Sequence, residues 1–322
     1  MRILDTDIAV GESKVVNLNI ARLHTRTTLT VPIIVERGLE EGPCLLLTAG
    51  IHGDEVNGVE IVRQIIAKGY NRPQKGTVIS IPVINVFGFL NQAREFPDGR
   101  DLNRMFPGFK KGSLASRFAY HLIEYIAPHI DYCIDYHTGG DARFNYSQTR
   151  LDATDQETLT LAKAFGAKFI VDAANRDKSF RKTLSNMGKK VLLYEGGKTL
   201  SLDRIVTQVG IDGALRVMQR LGMRNFGQEL TDQPSIASDQ LIFITKSKWI
   251  RAKHSGMFRT DAKLGSWVEQ GDQLGSISDP YGDFESKVTA PYSGYIICAN
   301  HAPIVNQGDA LVHISKNSTQ NF

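Results

Sequence analysis

In the N-terminal third of the chain, the order of apolar and polar positions changes near residue 43. Residues 15–36 alternate apolar and polar positions and are rich in Val, Ile, Leu and Thr, which predicts two antiparallel strands at the edge of a sheet. From residue 43 onward, short apolar runs alternate with segments of helical spacing. The first such unit has a strand over 44–49, a helix over 56–68 and a strand over 78–84, which is a β-α-β unit.

The same alternation continues through the middle of the chain. The pattern predicts helix 114–126, strand 132–136, helix 156–165, strand 167–171, helix 180–187, strand 190–194 and helix 202–221. Strands that alternate with helices predict an α/β fold with a mostly parallel or mixed sheet flanked by helices. Such sheets carry their sites at the carboxyl ends of the strands.

The last third of the chain has a different character. Residues 224–240 are polar and lack periodicity, which indicates a linker. From residue 249 onward, short strand-like pieces are separated by Gly and Pro turns, which predicts a small all-β barrel or sandwich. We therefore expect a larger domain over residues 1–230, which includes the N-terminal edge strands, and a small all-β domain over residues 240–322.

Hydrophobic content, charge distribution and cysteine spacing make some kinds of function less expected than others. The 322 residues are 42% hydrophobic, which is enough for a large core. The 38 basic and 34 acidic residues are spread along the chain without basic clusters, so no nucleic-acid partner is expected. No apolar run is long enough to span a membrane. Three widely spaced cysteines favour buried free thiols and a cytoplasmic location.

Two segments carry metal-binding chemistry. His52 and Glu55 lie three residues apart where the strand over 44–49 ends, and His137 lies at the end of the strand over 132–136. Two imidazoles and one carboxylate are the set that catalytic zinc uses while one position stays open for water or substrate. Alternatively, the first segment is only a capped helix start, and His137 is only a structural residue.

Two further segments contain candidate substrate-binding or proton-transfer residues. Residues 85–108 lack helical or strand periodicity and contain three arginines, which indicates a functional loop, although these arginines could simply pair with nearby acids. A guanidinium binds a carboxylate through two parallel hydrogen bonds. Glu195 follows an apolar strand, where it could transfer a proton or merely cap a turn.

Taken together, residues 43 to about 225 resemble the succinylglutamate desuccinylase/aspartoacylase family, a branch of the zinc carboxypeptidase superfamily. The matching motifs are His52-Gly53-Asp54-Glu55, Asp101-Leu102-Asn103-Arg104 with Phe106-Pro107-Gly108, Asp135-Tyr136-His137-Thr138-Gly139 and Glu195-Gly196-Gly197. The resemblance implies a zinc-hydrolase catalytic domain with a zinc-carboxypeptidase-like sheet.

The resemblance also implies a role for each matching residue. His52, Glu55 and His137 are expected to bind one zinc ion per chain, and Glu195 is expected to act as general base and acid. Asn103 and Arg104 are expected to bind a substrate carboxylate. Family members also have an upstream arginine that polarises the scissile carbonyl. This chain has Phe96 at the usual position, so Arg94 is the catalytic candidate, and Arg100 is a further candidate for the same role or for substrate binding.

We therefore expect a zinc-dependent amidohydrolase that removes an acyl group from an N-acyl amino acid or a similar small amide. A metallocarboxypeptidase acting on peptides would use the same site, and a non-catalytic binding or scaffold protein would lack the metal. The sequence leaves the oligomeric state open, a homo-oligomer included. Residues 246–316 resemble the barrel-sandwich domains of biotinyl and lipoyl carriers, but the hairpin at 279–284 has no lysine to modify.

Overall fold

In a computed structural model, the structure describes residues 1–22, 26, 28–227, 229–230 and 241–320. The predicted linker over 224–240 lies mostly outside these residues. Six α-helices lie in the described part of the chain: α1 Val56–Ala67, α2 Val86–Asn91, α3 Leu114–Ile126, α4 Gln156–Phe165, α5 Phe180–Asn186 and α6 Arg204–Arg220. Two short 3-10 helices cover Leu102–Arg104 and Ala127–His129. None of the helices in these ranges is both long and apolar enough to cross a membrane.

The strands account for the rest of the regular structure. In chain order they are β1 Arg2–Ile3, β2 Thr6–Asp7, β3 Ser13–Arg22, β4 Thr28–Arg37, β5 Glu40–Ala49, β6 Lys75–Ile81, β7 Tyr132–Gly139, β8 Arg143–Leu151, β9 Phe169–Asp172, β10 Lys190–Lys198, β11 Ile242–Arg251, β12 Gly256–Thr260, β13 Trp267–Val268, β14 Gln273–Ser278, β15 Glu285–Thr289, β16 Gly294–Asn300, β17 Ile304–Val305 and β18 Ala310–Gln320.

A twelve-stranded mixed sheet organises the molecule, in the order β13-β16-β18-β11-β9-β8-β10-β7-β5-β6-β4-β3. At its centre, β6, β5, β7 and β10 run parallel to one another. The antiparallel pair β3 and β4 lies at one edge, as the alternating pattern predicts. The chain thus has an α/β fold, and the ends of β5, β7 and β10 lie side by side.

Helices cover both faces of the parallel strands. On one face, α3 and α5 pack on a core that includes Leu46, and on the other, α1, α4 and α6 pack on a core that includes Leu45 and Leu47. Successive residues of a strand point to opposite faces, so a strand covered on both sides must be apolar throughout. This explains why β5 reads as a continuous apolar run.

Two elements differ from the sequence prediction. The segment 143–151 is strand β8, which the pattern analysis passed over, and β8 pairs antiparallel with β10 and parallel with β9. The segment 85–108, interpreted as a loop without periodicity, contains α2 and the 3-10 helix Leu102–Arg104. Both helices are too short for a periodic signal to show in a sequence window.

Strands from the C-terminal region are hydrogen-bonded to the main sheet. From Ile242 onward, the described elements are all strands. Five strands from the two parts of the chain form a closed ring of pairings, β8-β9-β11-β18-β16 and back to β8. The ring is filled by apolar side chains from both parts, namely Phe169, Val171, Ile242, Ile244 and Ile297. The C-terminal strands therefore continue the sheet that carries the candidate site.

Candidate metal centre and substrate cavity

The loop after β5 places the first two candidate ligands. At Gly50 the backbone has a φ of +61°, which favours glycine, and the chain turns away from the sheet there. A Cβ atom on Gly53 would lie 1.8 Å from a backbone carbon of α2, so only glycine lets this turn pack so closely. The backbone N–H of Glu55 donates to the carbonyl of His52 at 3.2 Å, and Glu55 occupies the N-cap position of α1 without a side-chain capping bond. The turn thus places both side chains on one side.

His52, Glu55 and His137 form one buried cluster. Each offers one ligand atom, and these atoms all lie within 4.8 Å of one another. The Nδ1 atom of His52 is 2.6 Å from one carboxylate oxygen of Glu55, and the Nδ1 atom of His137 is 2.9 Å from the other. Glu55 also accepts the backbone N–H of Thr138 at 3.1 Å. Three ligand atoms thus converge on one point.

The far side of each imidazole contacts a second carboxylate. The Nε2 atom of His137 lies 2.9 Å from Asp135, and the Nε2 atom of His52 lies 3.2 Å from Asp101. A carboxylate at Nε2 holds the ring proton there and leaves the Nδ1 lone pair for a metal ion. This donor set therefore fits a divalent cation.

The charges of the cluster support the same fit. Burial alone opposes charge on these groups, but the attraction between carboxylates and imidazoles outweighs it. The pKa of Glu55 is lowered by His52 and His137, and the pKa of His137 is raised well above its usual value by Asp135 and Glu55. With both imidazoles neutral, as metal binding requires, the carboxylates of Glu55, Asp101 and Asp135 outnumber the single guanidinium of Arg94, and a divalent cation would neutralise the remaining negative charge.

The structure separates the two candidate arginines. Arg94 lines the cavity beside the cluster, where its guanidinium lies 2.9 Å from Asp101 and 3.4 Å from Glu55. Arg100 instead pairs with Asp98 at 3.2 Å, its side chain is 49% exposed, and it does not line the cavity. The expected role of Arg100 in the site therefore has no geometric support.

Asn103 and Arg104 line the same cavity as Arg94. They lie on the 3-10 helix that Asp101 caps by accepting the backbone N–H of Asn103 at 2.8 Å. The side-chain oxygen of Asn103 accepts the backbone N–H of Phe180 at 2.8 Å, so its amide N–H groups remain to donate to a ligand. Arg104 donates to the carbonyl of Asn103 at 2.6 Å, and both residues line the cavity.

Glu195 faces the same cavity. In the parallel ladder of β10 and β7 it is the partner of His137. Its carboxylate accepts a hydrogen bond from the side-chain amide of Asn145 at 2.5 Å and lies 3.5 Å from the guanidinium of Arg150. The carboxylate of Glu195 thus lies in a polar environment close to a cation.

The cavity has a volume of about 660 Å³, which is in the range of small-molecule sites. Sequence reasoning missed several of its lining residues, among them Asn145 and the arginines Arg143, Arg150, Arg176 and Arg181. Burial lowers the pKa of Arg181 to about 10, and its guanidinium donates to the carbonyls of Ala173 and Ala174. The alternation of aromatic and polar residues over 143–147 is the signal that could have revealed β8 and its inward side chains.

The C-terminal region also contributes to the cavity wall. Trp249, Cys298 and His313 line it. The rings of Trp249 and His313 are stacked with centroids 4.6 Å apart, and burial lowers the pKa of His313 to about 3. A neutral, stacked aromatic pair therefore faces a cavity that is otherwise rich in arginine.

Comparisons with known proteins identify the family. Residues 41–221 match the model of the succinylglutamate desuccinylase/aspartoacylase catalytic domain. The N-alpha-acetyl-L-2,4-diaminobutyric acid deacetylase of Halomonas elongata is 29% identical over 300 residues, which cover 89% of this chain and 85% of that protein.

Solved structures show the same fold along nearly the whole chain. A succinylglutamate desuccinylase/aspartoacylase from Rhodobacter sphaeroides superposes with a TM-score of 0.82 at 24% identity, covering 98% of this chain and all (100%) of that one. The product-bound ectoine utilization protein EutE from Ruegeria pomeroyi superposes with a TM-score of 0.81 at 21% identity, covering 95% of both chains. The chain belongs to the succinylglutamate desuccinylase/aspartoacylase family.

Proposed function

We propose that this protein is a zinc-dependent deacylase that hydrolyses the amide bond of a small N-acyl amino acid. The observation that carries the proposal is the buried cluster of His52, Glu55 and His137, which opens into a cavity shared with Glu195. The family match and the deacetylase relative support the reaction class. The zinc-carboxypeptidase-like arrangement of the sheet is part of this proposal, supported by the parallel order β6-β5-β7-β10.

A zinc ion held by His52, Glu55 and His137 would supply Lewis acidity and a water whose pKa is near neutrality. Glu195 would take one proton from the attacking water as the oxygen of that water adds to the amide carbonyl carbon. Glu195 would then deliver this proton to the amine nitrogen as the C–N bond breaks, which yields a carboxylic acid and a free amine; the acid then passes its remaining proton to the amine or to water.

Arginine and asparagine side chains would orient the substrate and stabilise its charge. Arg94 lies beside the cluster, so its guanidinium would donate to the carbonyl oxygen as negative charge develops there. The amide of Asn103 and the guanidinium of Arg104 would bind the carboxylate of the amino acid, which holds the scissile bond near Glu195.

The division into a catalytic domain over residues 1–230 and an all-β domain over 240–322 is likewise proposed, supported by the change from helices and strands to strands alone. We also propose that the protein works in the cytoplasm. The three cysteines are free and buried, which suits a reducing compartment.

The experiment is a hydrolysis screen of N-acetyl, N-succinyl and N-formyl amino acids, including Nα-acetyl-2,4-diaminobutyrate, beside short peptides. We expect acyl amino acids to be hydrolysed, activity to be lost with a chelator, and zinc to restore it. Glu195→Gln should abolish turnover while elemental analysis still finds one metal ion per chain. Cleavage of peptides without cleavage of acyl amino acids would instead identify a metallocarboxypeptidase, and a purified protein that binds no zinc would refute the proposal.

A further inference from the structure

The carboxylate of Glu195 is held by two side chains of one strand. The side-chain amide of Asn145 donates to its Oε2 atom at 2.5 Å, and Nη1 of Arg150 lies 3.5 Å from its Oε1 atom. Asn145 is 5% exposed, and the side chain of Glu195 is 16% exposed. Both partners come from β8, the strand that sequence reasoning missed.

The backbone beyond Glu195 does not determine where its carboxylate points. The ladders of β10 with β7 and with β8 both shift register immediately after Glu195, and Gly197 has a φ of +75°. An irregularity of this kind redirects side chains relative to the sheet. A glutamate also has three rotatable side-chain bonds, so its orientation must be set by contacts with neighbours.

Asn145 is well placed to set that orientation. Its backbone pairs with Gly197 of β10 on one side and with Cys298 of β16 on the other, so strands on both sides fix it. An asparagine has only two rotatable side-chain bonds, and here its amide lies in a buried position. Through β16, the C-terminal region braces the strand that carries this amide.

We propose that Asn145 is a positioning residue that fixes the carboxylate of Glu195 for proton transfer. This inference rests on the proposed function, in which Glu195 moves the proton. Asn145 acts through Glu195 and does not hold the metal or the substrate carboxylate. Its removal should therefore lower kcat and leave KM and metal content unchanged.

The test uses Asn145→Leu, which keeps the approximate shape of the side chain and removes the N–H donor. We expect kcat on a substrate that the wild type hydrolyses to fall roughly 10–100-fold, the loss typical of removing a hydrogen bond that orients a functional group. We expect KM to change less than about twofold and zinc content to stay at one per chain. Asn145→Asp keeps the size and replaces the donor with a second carboxylate, so it should lose kcat as well.

Asn300→Leu is the matched control. Asn300 lies on β16, its amide donates to the backbone carbonyl of Ala310 at 3.0 Å, and it does not line the cavity. A general weakening of these strands would affect this variant too, whereas we expect its kcat to equal that of the wild type. Wild-type kcat in both variants of Asn145 would overturn the inference, and so would an equal loss in Asn300→Leu.

A double variant shows whether Asn145 acts through Glu195. In a Glu195→Asp background, Asn145→Leu should cause a much smaller further loss, because the shorter side chain has already drawn the carboxylate away from the amide of Asn145. A further loss of the same factor would mean that Asn145 acts elsewhere, and the inference would be wrong. Failure of the wild type to hydrolyse any acyl amino acid would refute the proposed function, and this inference with it.

Discussion

Asp135→Asn is the substitution that tests most directly how the metal centre is built. Asp135 is fully buried, and one of its oxygens lies 2.9 Å from Nε2 of His137 while the other accepts the hydroxyl of Thr48 at 2.9 Å. Asparagine has the same shape but can present an N–H group to the imidazole. The ring would then accept at Nε2 and carry its proton at Nδ1, where the metal ion should bind.

The expected loss of zinc affinity follows from the contact between Asp135 and Nε2 of His137. Loss of a carboxylate that orients a metal-bound histidine typically costs 10–100-fold in metal affinity or activity, which is about 1.4–2.8 kcal/mol. Asp135 is fully buried, so water cannot replace the lost contact, and we expect a loss within that range. The assay is a zinc competition titration of the purified protein against a chromophoric chelator, which gives Kd directly.

Thr48→Val provides the control for this prediction. It removes the hydroxyl that donates to Asp135 but keeps the contact between Asp135 and His137. We expect the zinc Kd to rise much less than in Asp135→Asn, because Asp135 keeps its contact with Nε2 of His137, which is the contact that orients the ligand. A zinc Kd in Asp135→Asn that equals the wild-type value would refute the assignment of His137 Nδ1 as a ligand oriented by Asp135.

The remaining predictions concern the arginines, the turn after β5 and the thiols. Arg94→Ala should lower kcat/KM by roughly 10²–10³, as loss of an oxyanion donor does, whereas Arg100→Ala should stay within about twofold because it pairs outside the cavity. Initial rates on one substrate compare the two variants, and equal losses would contradict the assignment. Gly53→Ala should lower the melting temperature and the zinc content, because its Cβ would lie 1.8 Å from the backbone of α2. Gly227→Ala should match the wild type in both, because its Cβ would only contact the side chain of Asn225 at 3.7 Å. Burial raises the pKa of all three cysteines, so a thiol reagent should label them only after denaturant is added, and rapid labelling of the native protein would contradict this burial.

The sequence identified candidate site residues where these residues directly follow strands with a clear apolar pattern. Candidate ligands such as His52 and His137 follow apolar runs that become the parallel strands β5 and β7, and parallel strands align their carboxyl ends. The arginines could not be separated in the same way. Whether Arg94 or Arg100 reaches the cavity depends on the path of a non-periodic segment, and that path is set by contacts such as the one between Arg94 and Asp101.

The missed strand shows a second limit. The alternation in β8 includes inward-facing polar residues, so its buried face does not look apolar in the sequence. A strand whose polar side chains line a cavity lacks the simple apolar pattern that identifies a core strand. The pairing of β8 with β16 joins residues far apart in the chain, and no local pattern reports such a contact.

The closed ring of strands determines which parts of the candidate site the C-terminal region contacts. Its residues Trp249 and His313 line the cavity, but the three candidate metal ligands all come from residues before 138. Substitutions at the stacked pair should therefore alter which acyl amino acid is preferred and leave zinc affinity unchanged. Burial, with the nearby charge of Arg150, keeps His313 neutral, so this part of the wall offers aromatic contact beside guanidinium groups. A cavity lined by both guanidinium and aromatic groups offers separate contacts for the carboxylate of a substrate and for its apolar part, and such contacts can select one orientation of the substrate.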